Sequence, residues 1–296
     1  MTLLVGLRPD KDDRSGVELA ATFARSSGQD LAVVSVVPTS WPTPVAGHTD
    51  REFELWAAEQ GDRAVAEAEA LLADHCPDVQ ARALWVHGRS IPGALLEQAE
   101  ALDAAMIVMG SGNDGAYGHV HLGSTSDRLL HSSHVPVALA TRGYYASEHG
   151  RVTRATCAFR GDDVSRRTLE RTAAICVEVG AALRVATFAV RGRTMYPPET
   201  GLHNEDMVMN AWLAQTEAAQ AAALAELGQE GILPQDVETV VGSGRTWASA
   251  IDQLRWERDD VLVIGSSAAS FMSRLFLGSN ATKLVRYSPV PVIIVP

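Results

Sequence analysis

Ile107-Val108-Met109-Gly110-Ser111 and Leu262-Val263-Ile264-Gly265-Ser266 are the two stretches on which the fold turns, an offset of about 155 residues apart. Thirteen residues beyond each glycine stand Leu122-Gly123-Ser124 and Leu277-Gly278-Ser279. The halves then close on Val135-Pro136-Val137-Ala138-Leu139 and Val290-Pro291-Val292-Ile293-Ile294. Three anchors in one register mean that the chain is written twice, and self-similarity at a fixed offset sets the architecture before any motif is read.

Working outward, the openings align too, Val5-Gly6-Leu7-Arg8-Pro9-Asp10 against Cys157-Ala158-Phe159-Arg160-Gly161-Asp162. Their offset is slightly smaller, so a few residues are inserted within the second half. Each opening leads into an Ala-rich helical segment, 15–27 and 165–179, and then into an apolar run, 31–37 and 183–190. A Pro-containing loop follows (Trp41-Pro42, Tyr196-Pro197), then a long helical pattern carrying Trp56 and Trp212. These tryptophans read as large core residues on an amphipathic helix in preference to ligand-stacking platforms. A further strand falls at 83–86 and 237–241, helices start from Pro92 and Trp247, and the glycine-bearing strand comes next.

Continuous apolar runs alternating with helices indicate strands buried on both faces of a parallel sheet. The predicted class is therefore α/β: two tandem, open, five-stranded parallel-sheet domains of Rossmann-like type, 1–142 and 151–296. The glycine-flanked polar stretch 142–150 is the expected join. The halves are expected to pack as a pseudo-dimer through their last strands, which would satisfy exposed sheet edges.

The 296 residues, 46% of them hydrophobic, suffice for two cores. A formal charge of −11, from 25 basic and 36 acidic residues, argues against a nucleic-acid surface, where clustered Lys and Arg would meet phosphates. Cys76, Cys157 and Cys176 form no C-x-x-C pair, and read as buried structural thiols. The opening Met1-Thr2-Leu3-Leu4-Val5-Gly6-Leu7 lacks a basic leader and a signal-peptide core. No apolar run approaches the roughly 18–20 residues of a membrane span. A cytoplasmic protein without membrane contact is the expectation.

In a parallel α/β unit, ligands settle beyond the carboxyl ends of the strands, where the following helices point their amino termini. The loop after Met109 lies there. Gly110 and Gly123 allow close backbone approach, and Ser124, Thr125 and Ser126 offer hydroxyls and N–H groups at a helix start, a setting suited to phosphate. The same residues also satisfy any tight connection between strand and helix.

With Gly88-Arg89-Ser90, Ile91-Pro92-Gly93-Ala94-Leu95-Leu96 and the anchors above in order, both halves resemble the universal stress protein family. Its ATP-binding members carry G-x2-G-x9-G-[ST]. The resemblance implies an adenine nucleotide alpha-hydrolase-like fold with a site in the first half for ATP or another anionic small molecule. Leu7, Arg8 and Ser111 would border that site. Val36 would meet the adenine, Met109 and Gly110 would flank ribose and phosphates, and Gly123, Ser124, Thr125 and Ser126 would cradle the phosphate chain.

Two departures stand out. The motif's second glycine falls on Asn113, which can adopt the left-handed conformation. Arg8, and Arg160 in the second half, stand where the family's nucleotide binders usually carry an acidic residue; each arginine would hold a phosphate or pair with Asp10, Asp12, Asp162 or Asp163. The second half has Ala268, Phe188 and Ala281 in place of motif residues, and is expected to be the structural partner.

His119, His121, His131 and His134 lack the carboxylate or Cys of a familiar metal-ligand spacing, and read as solvated histidines. The acidic run Asp10-Lys11-Asp12-Asp13 fits helix capping better than Mg²⁺ binding. Neither a G-x-S-x-G elbow nor a Walker loop occurs. The expected function is a stress-response regulator that binds without turnover. The competing expectation is a protein-interaction module with degenerate nucleotide sites; association between whole chains is left open.

Overall fold

The computed structural model describes residues 1–9, 13–39, 48–112, 115–147, 149–190, 202–266 and 278–296. The first half runs β1 (Thr2–Gly6), α1 (Ser15–Ser27), β2 (Asp30–Pro38), α2 (His48–His75), β3 (Ala81–Gly88), α3 (Ile91–Ala101), β4 (Ala104–Met109), α4 (Ser124–Ser132) and β5 (Val137–Leu139). The second half repeats the order: β6 (Arg154–Ala158), α5 (Asp163–Val179), β7 (Ala182–Val190), α6 (Leu202–Glu230), β8 (Val237–Gly244), α7 (Trp247–Asp252), β9 (Asp260–Gly265), α8 (Ser279–Tyr287) and β10 (Val292–Val295).

One sheet of ten strands results, ordered β3-β2-β1-β4-β5-β10-β9-β6-β7-β8. Within each half every pairing is parallel. The halves meet where β5 and β10 pair antiparallel, Val137 opposite Ile294 and Leu139 opposite Val292. The expected seam through the last strands is thus the one that forms. Burying both sheet faces needs side chains of alternating direction to be apolar throughout, and the two cores divide accordingly. Leu3, Val5, Leu31, Val33 and Val108 face α1 and α2, while Leu4, Val34, Ile107, Leu262 and Ile294 face α3, α4, α7 and α8.

The linker is tied to both halves. Tyr144 Oη lies 3.2 Å from Thr22 Oγ1, and the Ala146 N–H donates to the buried Glu18 carboxylate. Ser147 Oγ donates to Asp259, and Arg258 both stacks on Tyr145 and donates to its hydroxyl.

The tryptophans correct the sequence reading: Trp56 is 46% exposed and Trp212 37%, so neither is a core residue. The 28-residue α2 spans roughly 42 Å against roughly 30 Å for a nine-residue strand. Its early turns therefore have no sheet beneath them, and α6, of 29 residues, is in the same position.

The cores are not equivalent. Where the first half has Thr2, Leu4, Ala32 and Ala104 in register, the second has Arg154, Thr156, Arg184 and Asp260. Arg154 donates to Asp260 at 2.6 Å, and Arg184 donates to Glu238 at 2.9 Å. Arg184 and Asp260 are almost fully buried. Removing one member of such a cluster strands the other's charge in a dry interior. Asp260→Ala is expected to cost about 3–5 kcal/mol in urea unfolding, whereas Arg166→Ala, breaking an exposed pair with Glu226, should cost no more than about 1 kcal/mol.

All three cysteines are free and buried, as read from the sequence. Burial pushes the thiol of Cys76 up to about 11 and those of Cys157 and Cys176 up to about 12. Thiolate is the reacting form, so a disulfide reagent at pH 8 should label none of them in the native chain and all three after unfolding in guanidinium.

Candidate functional site

The first-half cavity, about 370 Å³, opens beyond the carboxyl ends of β1, β2 and β4. Ten of the eleven sequence candidates line it. Leu7 and Arg8 come from the end of β1, Val36 from β2, and Met109, Gly110 and Ser111 from the end of β4. Gly123, Ser124, Thr125 and Ser126 come from the start of α4. Asn113 lies outside the described residues.

Gly123 is the N-cap of α4, with φ −78° and ψ 168°, an extended conformation open to any residue. A Cβ placed there would meet nothing within 4 Å. Neither backbone strain nor packing demands this glycine, and its missing side chain leaves room directly over the amino terminus of α4. No side chain caps that terminus, so its first N–H groups face the cavity mouth with the partial positive charge of the helix dipole. The Ser124 and Thr125 hydroxyls stand beside them. Ser111 is committed elsewhere: its hydroxyl accepts from the His121 N–H at 2.8 Å and fastens the glycine loop.

Gly110 answers a different constraint. A Cβ there would stand 2.8 Å from Asp13 Oδ2, and one on Gly16 would stand 2.8 Å from the Gly110 nitrogen. Two glycines thus let α1 close onto the end of β4. Asp13 Oδ1 accepts from both the N–H (3.1 Å) and the hydroxyl (2.6 Å) of Ser15, capping α1 as the acidic run suggested. The same carboxylate also lines the cavity. Sequence reasoning missed that second role, together with Ile91, which also lines it. The signal was available in Asp13, since a helix that starts at the carboxyl edge of the sheet brings its cap to the ligand side. His121, near enough in sequence to the presumed phosphate site to assist an anion, lines the cavity as well.

Arg8 is exposed at the rim and makes no ion pair among the described residues; Asp10 and Asp12 lie outside them. Arg160 does pair with its neighbour Asp162, which also accepts from the Ser165 N–H to cap α5. The structural pairing expected of Arg160 is the one found.

The second half has a cavity of its own, about 580 Å³, in the matching place. Phe188 and Ala281 line it; Ala268 is outside the described residues. No helix among the described residues is long and apolar enough to cross a membrane.

Known proteins share this fold and its duplication. The model of the universal stress protein family matches residues 1–141 and again 152–296. A universal stress protein of Mycobacterium tuberculosis is 39% identical over 297 residues, covering all of both chains. The crystal structure of a universal stress protein from Archaeoglobus fulgidus is similar with a TM-score of 0.65 at 19% identity, covering 99% of this chain and 97% of its own. The structure of the universal stress protein from Archaeoglobus fulgidus in complex with dAMP covers 47% of this chain and 96% of its own, with a TM-score of 0.34 at 18% identity.

Gly16→Ala tests the close approach that shapes the first cavity. The added methyl meets backbone, which cannot swing aside, so the variant should lose about 1–3 kcal/mol, read as a lower urea midpoint at unchanged slope.

Proposed function

Because the chain belongs to the universal stress protein family, we propose that its first half binds ATP or a related phosphate-bearing adenine nucleotide and that the protein regulates a stress response by binding, without turnover. The observation that carries this is Gly123, a glycine that the fold does not need, left open over an uncapped helix amino terminus. A phosphate is the group that such a terminus favours.

In this reading Ser124, Thr125 and Ser126 receive the phosphates with Gly123, and Leu7 and Val36 offer apolar contact to the base. Met109 and Gly110 border the ribose. Arg8 adds a cation for the phosphate chain. The acceptor that the family pattern would place at Arg8 is supplied by Asp13, whose carboxylate lies in the same cavity. Asp13 Oδ1 is already occupied by Ser15, which suits a positioning group better than a general base.

A second reading, an interaction module with a lapsed nucleotide site, is favoured by Leu55 and Trp56, 67% and 46% exposed on α2. Exposed apolar groups side by side suit a protein partner.

Calorimetric titration of ATP with Mg²⁺ separates the two. Saturable binding to the native chain, lost in a Gly123→Asp variant that keeps its circular dichroism spectrum, is the expected result. The aspartate would place a carboxylate where a phosphate belongs. Absence of binding in both proteins, with concentration-dependent self-association in sedimentation, would put the interaction module ahead.

A further inference from the structure

The second cavity is the larger of the two described, and its walls are of another chemistry. Four aromatic side chains from four places line it: Phe159 just after β6, Phe188 on β7, Trp212 on α6 and Trp247 at the start of α7. The matching positions of the first half are Leu7, Val36, Trp56 and Ile91. Among the described residues neither Trp56 nor any other Phe, Tyr or Trp lines the first cavity.

Polar groups change in the opposite sense. Thr125 and Ser126 become Asn280 and Ala281, while Asp162, which caps α5 as Asp13 caps α1, keeps a carboxylate in the wall. Hydroxyls at the helix start are fewer, Ser279 alone against Ser124, Thr125 and Ser126, and ring faces are more. Trp212 is 37% exposed, and Phe188 and Trp247, though packed against the core, are only half-buried, which leaves part of each ring for the cavity. At the rim, Arg160 pairs with Asp162 through Nη2. Its other guanidinium donors have no partner among the described residues, and a guanidinium offers five N–H groups in a planar fork.

We infer that this cavity is a second and separate ligand site, for a flat aromatic molecule carrying a single acidic group. Phe188, Trp212 and Trp247 hold the ring by apolar and aromatic contact, and Arg160 receives the acid. The sites are independent by construction. Antiparallel pairing of β5 with β10 points the carboxyl ends of the two halves to opposite edges of the common sheet, so one molecule cannot reach both.

The test is calorimetric titration of the full chain with 2-naphthoate and, separately, with ATP. One saturable naphthoate site is expected, weakened at least ten-fold by Trp212→Ala or Trp247→Ala and unchanged by Gly123→Asp. Trp212 is exposed, so its variant serves if Trp247→Ala does not fold. Arg160→Ala should weaken naphthoate while leaving the uncharged analogue 2-naphthol unaffected. Failure of naphthoate to saturate, retention of binding in Trp212→Ala and Trp247→Ala, or its loss in Gly123→Asp would overturn the inference. An equal loss of naphthoate and naphthol in Arg160→Ala would remove the acid from the assignment. ATP binding lost only in Gly123→Asp bears on the first half alone, so the two readings can fail separately.

Discussion

The pairing of Val137–Leu139 with Val292–Ile294 is the contact from which the remaining architecture follows. Five parallel strands flanked by helices leave two open edges, and each edge presents unpaired N–H and C=O groups. Here one edge of each half is consumed by the other. A three-residue β5 is enough because its neighbours on both sides, β4 and β10, are themselves buried strands. The apolar run through Val137, Ala138 and Leu139, all buried, shows that the seam lies in the core and not at its rim.

That seam also distributes function. Parallel strands gather helix amino termini at one edge of a sheet, and reversing direction at the seam gives each half its own edge. The two cavities then share a frame without sharing a surface. Each half is free to change its cavity wall while the buried strands stay fixed, which is the pattern seen: the seam strands and glycine-bearing strands keep their register, and the cavity positions diverge.

Much of this was legible in the sequence because it depends on periodicity. Helix α1 falls on 15–27 as read, and the glycine-bearing strands and terminal strands are where the repeat placed them. Ten candidate positions converge on one cavity because strand ends and helix starts in a parallel sheet have only one place to meet. What was not legible depends on length and partners in space. Trp56 and Trp212 carry the apolar period of a buried face, yet helices longer than the sheet leave early turns uncovered. Asp13 reads as a cap in one dimension, and only in three does the same carboxylate appear beside Gly110.

The ionic cluster at the amino ends of β6, β7 and β9 shows where duplication has loosened the sequence. Leu4 and Ala32 pack in the first half with no polar demands; Thr156 and Arg184 in the second leave Thr156 Oγ1, Arg184 Nη1 and Asp260 Oδ1 buried without a hydrogen bond among the described residues. Unsatisfied polar atoms of this kind cost free energy that an apolar core does not. The cost is borne at the opposite end of the strands from the cavity, on the face that also supports Phe188. A half that tolerates such a cluster gains its stability from the seam and from the shared core around Leu3, Val5, Cys157 and Val263. Joined to a better-packed partner, the second half can hold both an imperfect core and a divergent cavity, which a free single domain of about 150 residues, with only a few kcal/mol in hand, could hardly sustain.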